Sequence, residues 1–254
     1  MTPHRVFIVG HEGTTGLRIH ERLSDRKDIE LLATADEDRK NVEAIKVVAK
    51  KADLVFLCLP DVASKEIMAA IGDFPCKVID TSTAFRTTAG WAYGFPELGE
   101  SYKTDIATKK HIANPGCHAS GMIACIEPLV KAGLVPADYP FTITSLTGYS
   151  GGGKKMIGQY ESSPKDYFLY APRQYGLGQE HKHLPEVQHV CGLSEAPIFM
   201  PIVDDYYSGM EVTVGIHSRL CHKPVCIDKV QQTLEYFYKD STIVTVAPFT
   251  ENSN

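Results

Sequence analysis

In the first half of the chain, apolar residues come in short unbroken runs separated by stretches with helical rhythm. Val6-Phe7-Ile8-Val9 is a continuous β-favouring run ended by a glycine, the pattern of a strand buried on both faces. Gly16 to Leu23 follows with helical spacing at Leu17, Ile19, His20 and Leu23. A second strand is predicted at Ile29 to Ala33. An amphipathic helix follows over Asn41 to Lys51, with Val42, Ile45 and Ala49 on one face. Leu54 to Leu59 reads as a third buried strand, Ala63 to Ile71 as a helix and Cys76 to Asp80 as a fourth strand. His111-Ile112-Ala113 is a short strand that leads into an Asn-Pro-Gly turn. Such alternation implies a parallel sheet with helices on both faces.

The pattern changes after about residue 114. Gly116 to Val130 is helical, with a polar start and an apolar body. Strand-like runs then appear at Phe141 to Thr144, Ile198 to Val203, Glu211 to His217 and Thr242 to Val246. Tyr149 to Leu184 is rich in Gly, Ser, Lys and Tyr and reads as loop, and Val225 to Phe237 reads as a helix suited to cover the strands. The second half is therefore expected to be α+β with a mostly antiparallel sheet.

Length and composition agree with this division. The 254 residues leave room for two modest domains, and 43% hydrophobic with 22% charged residues is the mix of a globular chain with a core. The net charge of −5 gives no reason to expect a nucleic-acid partner, although a local cationic pocket can still hold a small anion. No long apolar stretch calls for a membrane span, and the first apolar run stops at Gly10 without a signal-peptide cleavage pattern. Cytoplasm is the expected compartment. Seven cysteines in a chain of this size fit reduced thiols better than a disulfide framework.

Gly10-x-x-Gly13-x-x-Gly16 lies on the first strand-to-helix turn. Glycines there permit a tight turn and a close backbone approach to a pyrophosphate, and the helix start offers free N–H groups. Thr14 and Thr15 add hydroxyls, so Gly10, Gly13, Thr14, Thr15 and Gly16 are candidate dinucleotide ligands. The second strand ends in Ala33-Thr34-Ala35-Asp36-Glu37-Asp38-Arg39-Lys40. An acid there favours NAD and a base favours NADP. This stretch has both, so the choice stays open; Arg39 and Lys40 fit equally well as the solvated start of a helix.

Cys117 follows Asn114-Pro115-Gly116 and precedes an apolar helix, which puts its sulfur at a helix N-terminus where a thiolate is stabilised. Cys58, Cys76 and Cys125 lie in apolar runs and read as inert. A proton-transfer partner is sought in His181-Lys182-His183-Leu184-Pro185-Glu186. A zinc site is not expected, because no spacing pairs the cysteines two plus two. Tyr149-Ser150-Gly151-Gly152-Gly153-Lys154 could hold an anion through N–H groups, Ser150 and Lys154. Arg86, after the fourth strand, is either a second anion ligand or a surface ion-pair partner.

Taken in order, several blocks resemble one family. They are Gly13-Thr14-Thr15-Gly16-Leu17, Cys58-Leu59-Pro60-Asp61, Ile79 to Arg86 and Tyr93-Gly94-Phe95-Pro96-Glu97-Leu98. Asn114 to His118, Tyr149 to Lys154 and His181 to Glu186 continue the series. Together they are similar to N-acetyl-γ-glutamyl-phosphate reductase of arginine biosynthesis, in its shorter-chain bacterial type, within the semialdehyde dehydrogenases. The resemblance implies a Rossmann-like dinucleotide-binding domain over residues 1–114 and a catalytic and oligomerisation domain over 115–254. It implies attack of Cys117 on the acyl phosphate of a small-molecule substrate, loss of phosphate, and reduction of the thioester with NADPH. His181 would be the acid/base and Glu186 would orient it or the substrate. Ser82 and Arg39 would join the cofactor ligands, while Arg86, Ser150, Lys154 and His183 would grip substrate. A homo-oligomer, dimer or tetramer, is expected.

Two alternatives remain at this level: a reductase of a related acyl phosphate such as aspartyl phosphate, and a dinucleotide-binding protein without catalysis. A cysteine hydrolase leaves the first glycine loop without a role. One departure bears on the second alternative. Family members are expected to continue past Phe249 with a strand and a glycine-rich helix that return to the first domain. No such stretch follows Phe249 in this sequence: either the sequence is an incomplete copy or the protein manages without that tail, and cofactor affinity, domain closure and activity are left open.

Overall fold

The computed structural model describes residues 2–250; Met1 and residues 251–254, at the two ends of the expected domains, lie outside them. The chain falls into two compact units. The first holds the chain up to Gly94, with Thr104–Pro115 and Tyr149–Asp166. The second holds Phe95–Lys103, Gly116–Gly148 and the chain from Tyr167 onward.

The first unit is built on strands β1 (His4–Val9), β2 (Ile29–Leu32), β3 (Leu54–Leu57), β4 (Lys77–Asp80), β5 (Ala92–Tyr93) and β6 (His111–Ala113). Helices α1 (Thr14–Ser24), α2 (Val42–Ala49) and α3 (Asp61–Ile71) join the first four, and α4 (Glu100–Thr108) precedes β6. All pairings are parallel, in the order β2-β1-β3-β4-β6-β5. Continuous apolar runs form these strands because their middle members are covered on both faces: Val55 and Leu57 are fully buried and Val78 nearly so. Ile45, Ala49, Ile67 and Ile71 of α2 and α3 close one side of this core. Asn41 starts α2 by accepting hydrogen bonds from the Glu43 and Ala44 N–H groups.

The register matters for function. Val9 pairs with Leu57, Leu57 with Asp80, and Asp80 with Ala113. Four strands thus end in one row, and the segments starting at Gly10, Cys58, Thr81 and Asn114 emerge along the same sheet edge. Chain order reverses between β1 and β3, where open α/β sheets bind their ligands.

The second unit contains α5 (Cys117–Lys131), β7 (Thr142–Gly148), β8 (Arg173–Gln174), α7 (Leu184–Val190), β9 (Ile198–Asp204), β10 (Met210–Gly215) and α8 (Ile227–Tyr238). Helix α6 (Gly153–Tyr160) belongs to the first unit. The sheet runs β10-β7-β9-β8. β10 pairs β7 and β8 pairs β9, both antiparallel, while β7 pairs β9 in parallel, so it is a mixed sheet with antiparallel pairs in the majority. Helix α5 lies on the face that carries Ile143, Ser145 and Val212: a Cβ on Gly121 would fall 2.6 Å from the Val212 side chain.

Two expectations from the pattern are corrected. Thr242 to Val246 forms no strand. The Ser241 hydroxyl takes the N–H groups of Ile243 and Val244, and Gln231 on α8 donates to the carbonyl of Ala247 just beyond, local bonds in place of a ladder. The stretch from Tyr149 to Leu184 is not all loop but contains α6 and β8. Its glycines masked one short helix, and β8 is too short to show alternation. Among the described residues no helix is long and apolar enough to cross a membrane.

Candidate active site

Cys117 is the first residue of α5, a 15-residue helix entered from Gly116 in extended conformation with no side-chain cap. The first-turn N–H groups are therefore available to an anion at the helix start. Cys117 is exposed while Gly116, Glu186 and His118 around it are buried. Glu186, on the first turn of α7 and 1% exposed, accepts a 2.8 Å hydrogen bond from the Gly116 N–H. This bond ties the turn that enters Cys117 to a helix 70 residues later in the chain. Pro115 cannot extend the helix backwards, so the helix begins where the sequence pattern placed it.

The other six cysteines lack this setting. Burial pushes the Cys58 thiol up to about 11, helped by Asp80 and opposed by a hydrogen bond with Thr81. Burial likewise raises Cys76, Cys125 and Cys191. Cys221 lies in the turn before α8, and the exposed Cys226 is the N-cap of α8, a helix start to which no glutamate is hydrogen-bonded among the described residues.

His181 and His183 sit in the loop entering α7, their rings 4.7 Å apart and edge to face. His181 is also 5.1 Å from Phe199 and 5.6 Å from His118. The His183 N–H donates to His181 Nδ1 at 3.3 Å, which leaves the proton of the neutral ring on Nε2. Desolvation and then Lys182 lower the His181 pKa, so the neutral form prevails at neutral pH. The loop is held by Gln179, whose amide donates to the Phe199 carbonyl and accepts from the Phe199 N–H. Gln179 has a positive φ of 57°, a conformation costly for a residue with a Cβ and sustained here by those two bonds.

Three residues in this cluster were given no role from sequence. His118 is 3% exposed and bonded on both ring nitrogens, to Ser145 Oγ and to Tyr175 OH, each at 2.8 Å. Burial, with His181 adding to it, pushes the His118 pKa down to about 4. The Tyr175 phenol rises to about 12 through burial and the charge of Cys117. His118 is one residue past Cys117 in the quoted motif, whereas Ser145 and Tyr175 carry no sequence signal beyond their composition.

In the first unit the glycine loop fits a dinucleotide. Gly10 has φ +86°, and a Cβ there would fall 2.4 Å from the Cys58 carbonyl. A Cβ on Gly16 would fall 2.3 Å from the Gly10 carbonyl. Gly13 is the N-cap of α1 and offers no side-chain cap, which leaves the Thr14, Thr15 and Gly16 N–H groups without intrahelical acceptors. This is the cradle that a pyrophosphate requires. Arg39 follows a short 3₁₀ turn and forms a 2.7 Å ion pair with Glu12 of the same loop.

Ser82 and Arg86 lie in the turn after β4. Asp80 is fully buried and accepts from the Ser64 and Ser82 hydroxyls, both at 2.5 Å, and from the Ser82 N–H. Burial raises the Asp80 pKa against the opposing pull of these bonds and of Arg86. The Arg86 guanidinium is 8% exposed and donates to the carbonyls of Asn114 and Thr81. It supports the Asn114 turn from inside, where a surface ion pair was one of the two expectations. Ser150 lies in a 3₁₀ turn and the exposed Lys154 in α6, both within the first unit.

One pH effect follows from His118. Its folded pKa is about 4 against an ordinary 6.5. Between those values the unfolded chain binds a proton that the folded chain refuses, so stability falls as pH drops through that window and levels off below it. The loss is expected to be on the order of 2–3 kcal/mol. Denaturant midpoints measured from pH 7.5 to 4 should show it, and His118→Gln should remove that part of the slope. An unchanged slope in the variant would assign the effect to other groups.

The sequence matches two family models, "Semialdehyde dehydrogenase, NAD binding domain" over residues 5–105 and "Semialdehyde dehydrogenase, dimerisation domain" over residues 117–253. It is 44% identical to N-acetyl-gamma-glutamyl-phosphate reductase 2 of Pseudomonas putida, over 96% of this chain and 77% of that protein. It is 46% identical to the N-acetyl-gamma-glutamyl-phosphate reductase of Chelativorans sp., over 87% of this chain and 70% of that one. Among solved structures, aspartate semialdehyde dehydrogenase II of Vibrio cholerae superposes with a TM-score of 0.68 at 18% identity, covering 93% of this chain and 79% of that one. Aspartate semialdehyde dehydrogenase of Candida albicans, solved with NADP, gives 0.63 at 15%, covering 91% and 76%. At such identities the two structures establish the fold alone. With its glycine loop, its helix-borne cysteine and relatives of this similarity, the chain belongs to the N-acetyl-gamma-glutamyl-phosphate reductase family of the semialdehyde dehydrogenases.

Proposed function

We propose that this chain catalyses the NADPH-dependent reduction of N-acetyl-γ-glutamyl phosphate to N-acetylglutamate semialdehyde and phosphate. One observation carries the reading: an exposed cysteine opens an uncapped helix, its entry clamped by a buried glutamate, in a chain 44% identical to a named reductase. In the reaction the Cys117 sulfur bonds to the acyl carbon while the carbon–oxygen bond to phosphate breaks. The thiol proton ends on the departing phosphate. Bound NADPH would supply the hydride that reduces the thioester, and the aldehyde leaves with the Cys117 thiolate, which takes up one proton from solvent to restore the thiol. His181 is assigned the acid/base position. Its neutral ring carries hydrogen on Nε2, so it acts first as a hydrogen-bond donor to developing negative charge.

Glu186 positions the nucleophile through Gly116. His183, Arg86, Ser150 and Lys154 are the candidates for substrate contacts; Arg86 also braces the Asn114 turn. The cofactor ligands are Gly10, Gly13, Thr14, Thr15 and Gly16, with Arg39 placed for the 2′-phosphate and Ser82 in the turn after β4. Residues 1–114 are read as the dinucleotide-binding domain and 115–254 as the catalytic and oligomerisation domain. A reducing compartment, the cytoplasm, suits a chain whose seven cysteines are all free thiols.

The second unit's sheet carries Leu146, Ile198, Met200 and Ile202 on the face away from Ser145 and Phe199, with Ile198 56% exposed. This face is proposed as the contact of a homo-oligomer, dimer or tetramer, in keeping with the dimerisation-domain family model.

Three measurements test these assignments. Cys117→Ser should lower turnover by at least about 10³-fold and leave NADP⁺ affinity within about twofold; turnover near wild type rules out the thioester. Arg39→Ala should weaken NADP⁺ binding about tenfold and spare NAD⁺. Equal losses for both nucleotides, read by fluorescence quenching, would remove Arg39 from the phosphate site. Ile198→Asp with Met200→Asp should reduce the assembly to monomers in light scattering; a wild-type chain that is already monomeric defeats the interface.

A further inference from the structure

We propose that the Tyr175 hydroxyl is a hydrogen-bond donor to the anionic sulfur of Cys117, aimed by a one-way hydrogen-bond chain that starts at the buried Ser145. The inference rests on Cys117 as the nucleophile and adds two residues that neither the motifs nor the family resemblance supplied.

The direction of the chain follows from hydrogen-bond satisfaction. Ser145 lies on β7 and is fully buried. Its hydroxyl has one partner among the described residues, His118 Nδ1 at 2.8 Å. A buried hydroxyl that does not donate loses the bond it had in water, at a substantial cost. Ser145 therefore donates, and Nδ1 accepts. A neutral imidazole with a bare Nδ1 carries its proton on Nε2. Nε2 faces the Tyr175 oxygen at 2.8 Å, so His118 donates to Tyr175. With an oxygen lone pair engaged, the phenol proton is free to point away from His118. The opposite tautomer would reverse every bond, strand the Ser145 hydrogen and draw the phenol proton onto the imidazole.

The surroundings favour a donor. His118 stays neutral across the working pH range because burial holds it down to about 4, so the chain keeps one polarity. Tyr175 keeps its proton because burial and the Cys117 charge push the phenol up to about 12. Geometry brings the hydroxyl to this end of α5: it lies 2.8 Å from Nε2 of His118, the residue after Cys117 on the first turn of the helix. No direct hydrogen bond joins the hydroxyl to the sulfur among the described residues, so a small side-chain rotation or a water makes the contact. The titratable groups gathered here are His118 from α5, Tyr175 beside β8, His181, Lys182 and His183 from the loop, and Glu186 from α7. Of these, Tyr175 is the one that is a neutral hydroxyl donor with its oxygen already oriented by a buried partner. Its backbone is fixed as well, by a 3.0 Å bond from its N–H to the Pro201 carbonyl.

The test uses the full chain and needs no turnover. The rate of Cys117 alkylation by iodoacetamide is followed from pH 5 to 10 and read on the Cys117 peptide by mass spectrometry. Tyr175→Phe should raise the midpoint of that profile, seen below the midpoint as an about threefold or greater loss of rate. Ser145→Ala should shift it the same way, because His118 is then free to take the other tautomer. Histidine ¹⁵N spectra should show His118, identified by its loss in His118→Gln, protonated on Nε2 in the wild type. Melting curves confirm that the variants are folded; Tyr175 is only half-buried and its Phe variant keeps the ring. An unmoved profile in Tyr175→Phe, or a His118 protonated on Nδ1, overturns the proposal. A shift in Tyr175→Phe without one in Ser145→Ala overturns the chain that aims the donor. Because alkylation and tautomer are read without substrate or cofactor, these failures are distinct from failure of the reductase reading, which would appear as absent turnover in the wild type.

Discussion

The bond from the Gly116 N–H to the buried Glu186 carboxylate is the contact on which the second unit's site depends. A helix start leaves its first N–H groups unpaired, and something must fix the chain that enters it. Here a side chain from α7 does so, just before Cys117. The bond is charge-assisted and shielded from water, the kind worth about 1.5–3 kcal/mol, and much costlier to break than to replace. It holds Cys117 outward and couples its position to the loop that carries His181 and His183. Cys117 can therefore be exposed without being mobile.

Behind the cysteine the protein accepts the cost of polar groups in an apolar setting. His118, Ser145 and Glu186 are all buried, among Phe199, Ile143 and Val187, and each is hydrogen-bonded. Such groups persist only when hydrogen-bonded, and a fully bonded set rigidifies what surrounds it. The histidine pair in the loop is fixed by a different device, the Gln179 amide that mimics a strand partner for Phe199. Burial favours the neutral imidazole at His118 and His181. The chemistry is then arranged around hydrogen-bond donors near a sulfur rather than around free cations.

The first unit solves a separate problem, bringing backbone close to a phosphate. Gly10 and Gly16 are required by sterics, since any Cβ would overlap a carbonyl oxygen. Arg39, in the stretch that carries both acids and bases after β2, is ion-paired with Glu12 of the glycine loop. The pair holds the guanidinium at the loop, where a phosphate can compete for it. Asp80, anchored by two serines, fixes the neighbouring turn and through Arg86 the carbonyl of Asn114.

Much of this architecture was legible in the chain. Buried parallel strands are continuous apolar runs, so β1, β3 and β4 were found close to their ends, and Pro115-Gly116 marked the helix start at Cys117. Local rules account for these, because each depends on residues within one turn or strand. The misses were of another kind. Thr242 to Val246 has strand composition, but the Ser241 hydroxyl takes two of its N–H groups, and strand formation needs a partner that composition cannot supply. Arg86 was equally plausible as a ligand and as a surface cation; only burial against two carbonyls assigned its bonds. The roles of Ser145, His118 and Tyr175 arise from contacts across 27 and 57 residues. The sequence by itself determined the strand runs, the glycine turn and the cysteine on its helix, because those follow from short-range sterics and periodicity. Tertiary structure alone decided which proton each buried group carries, because that is set by partners far along the chain.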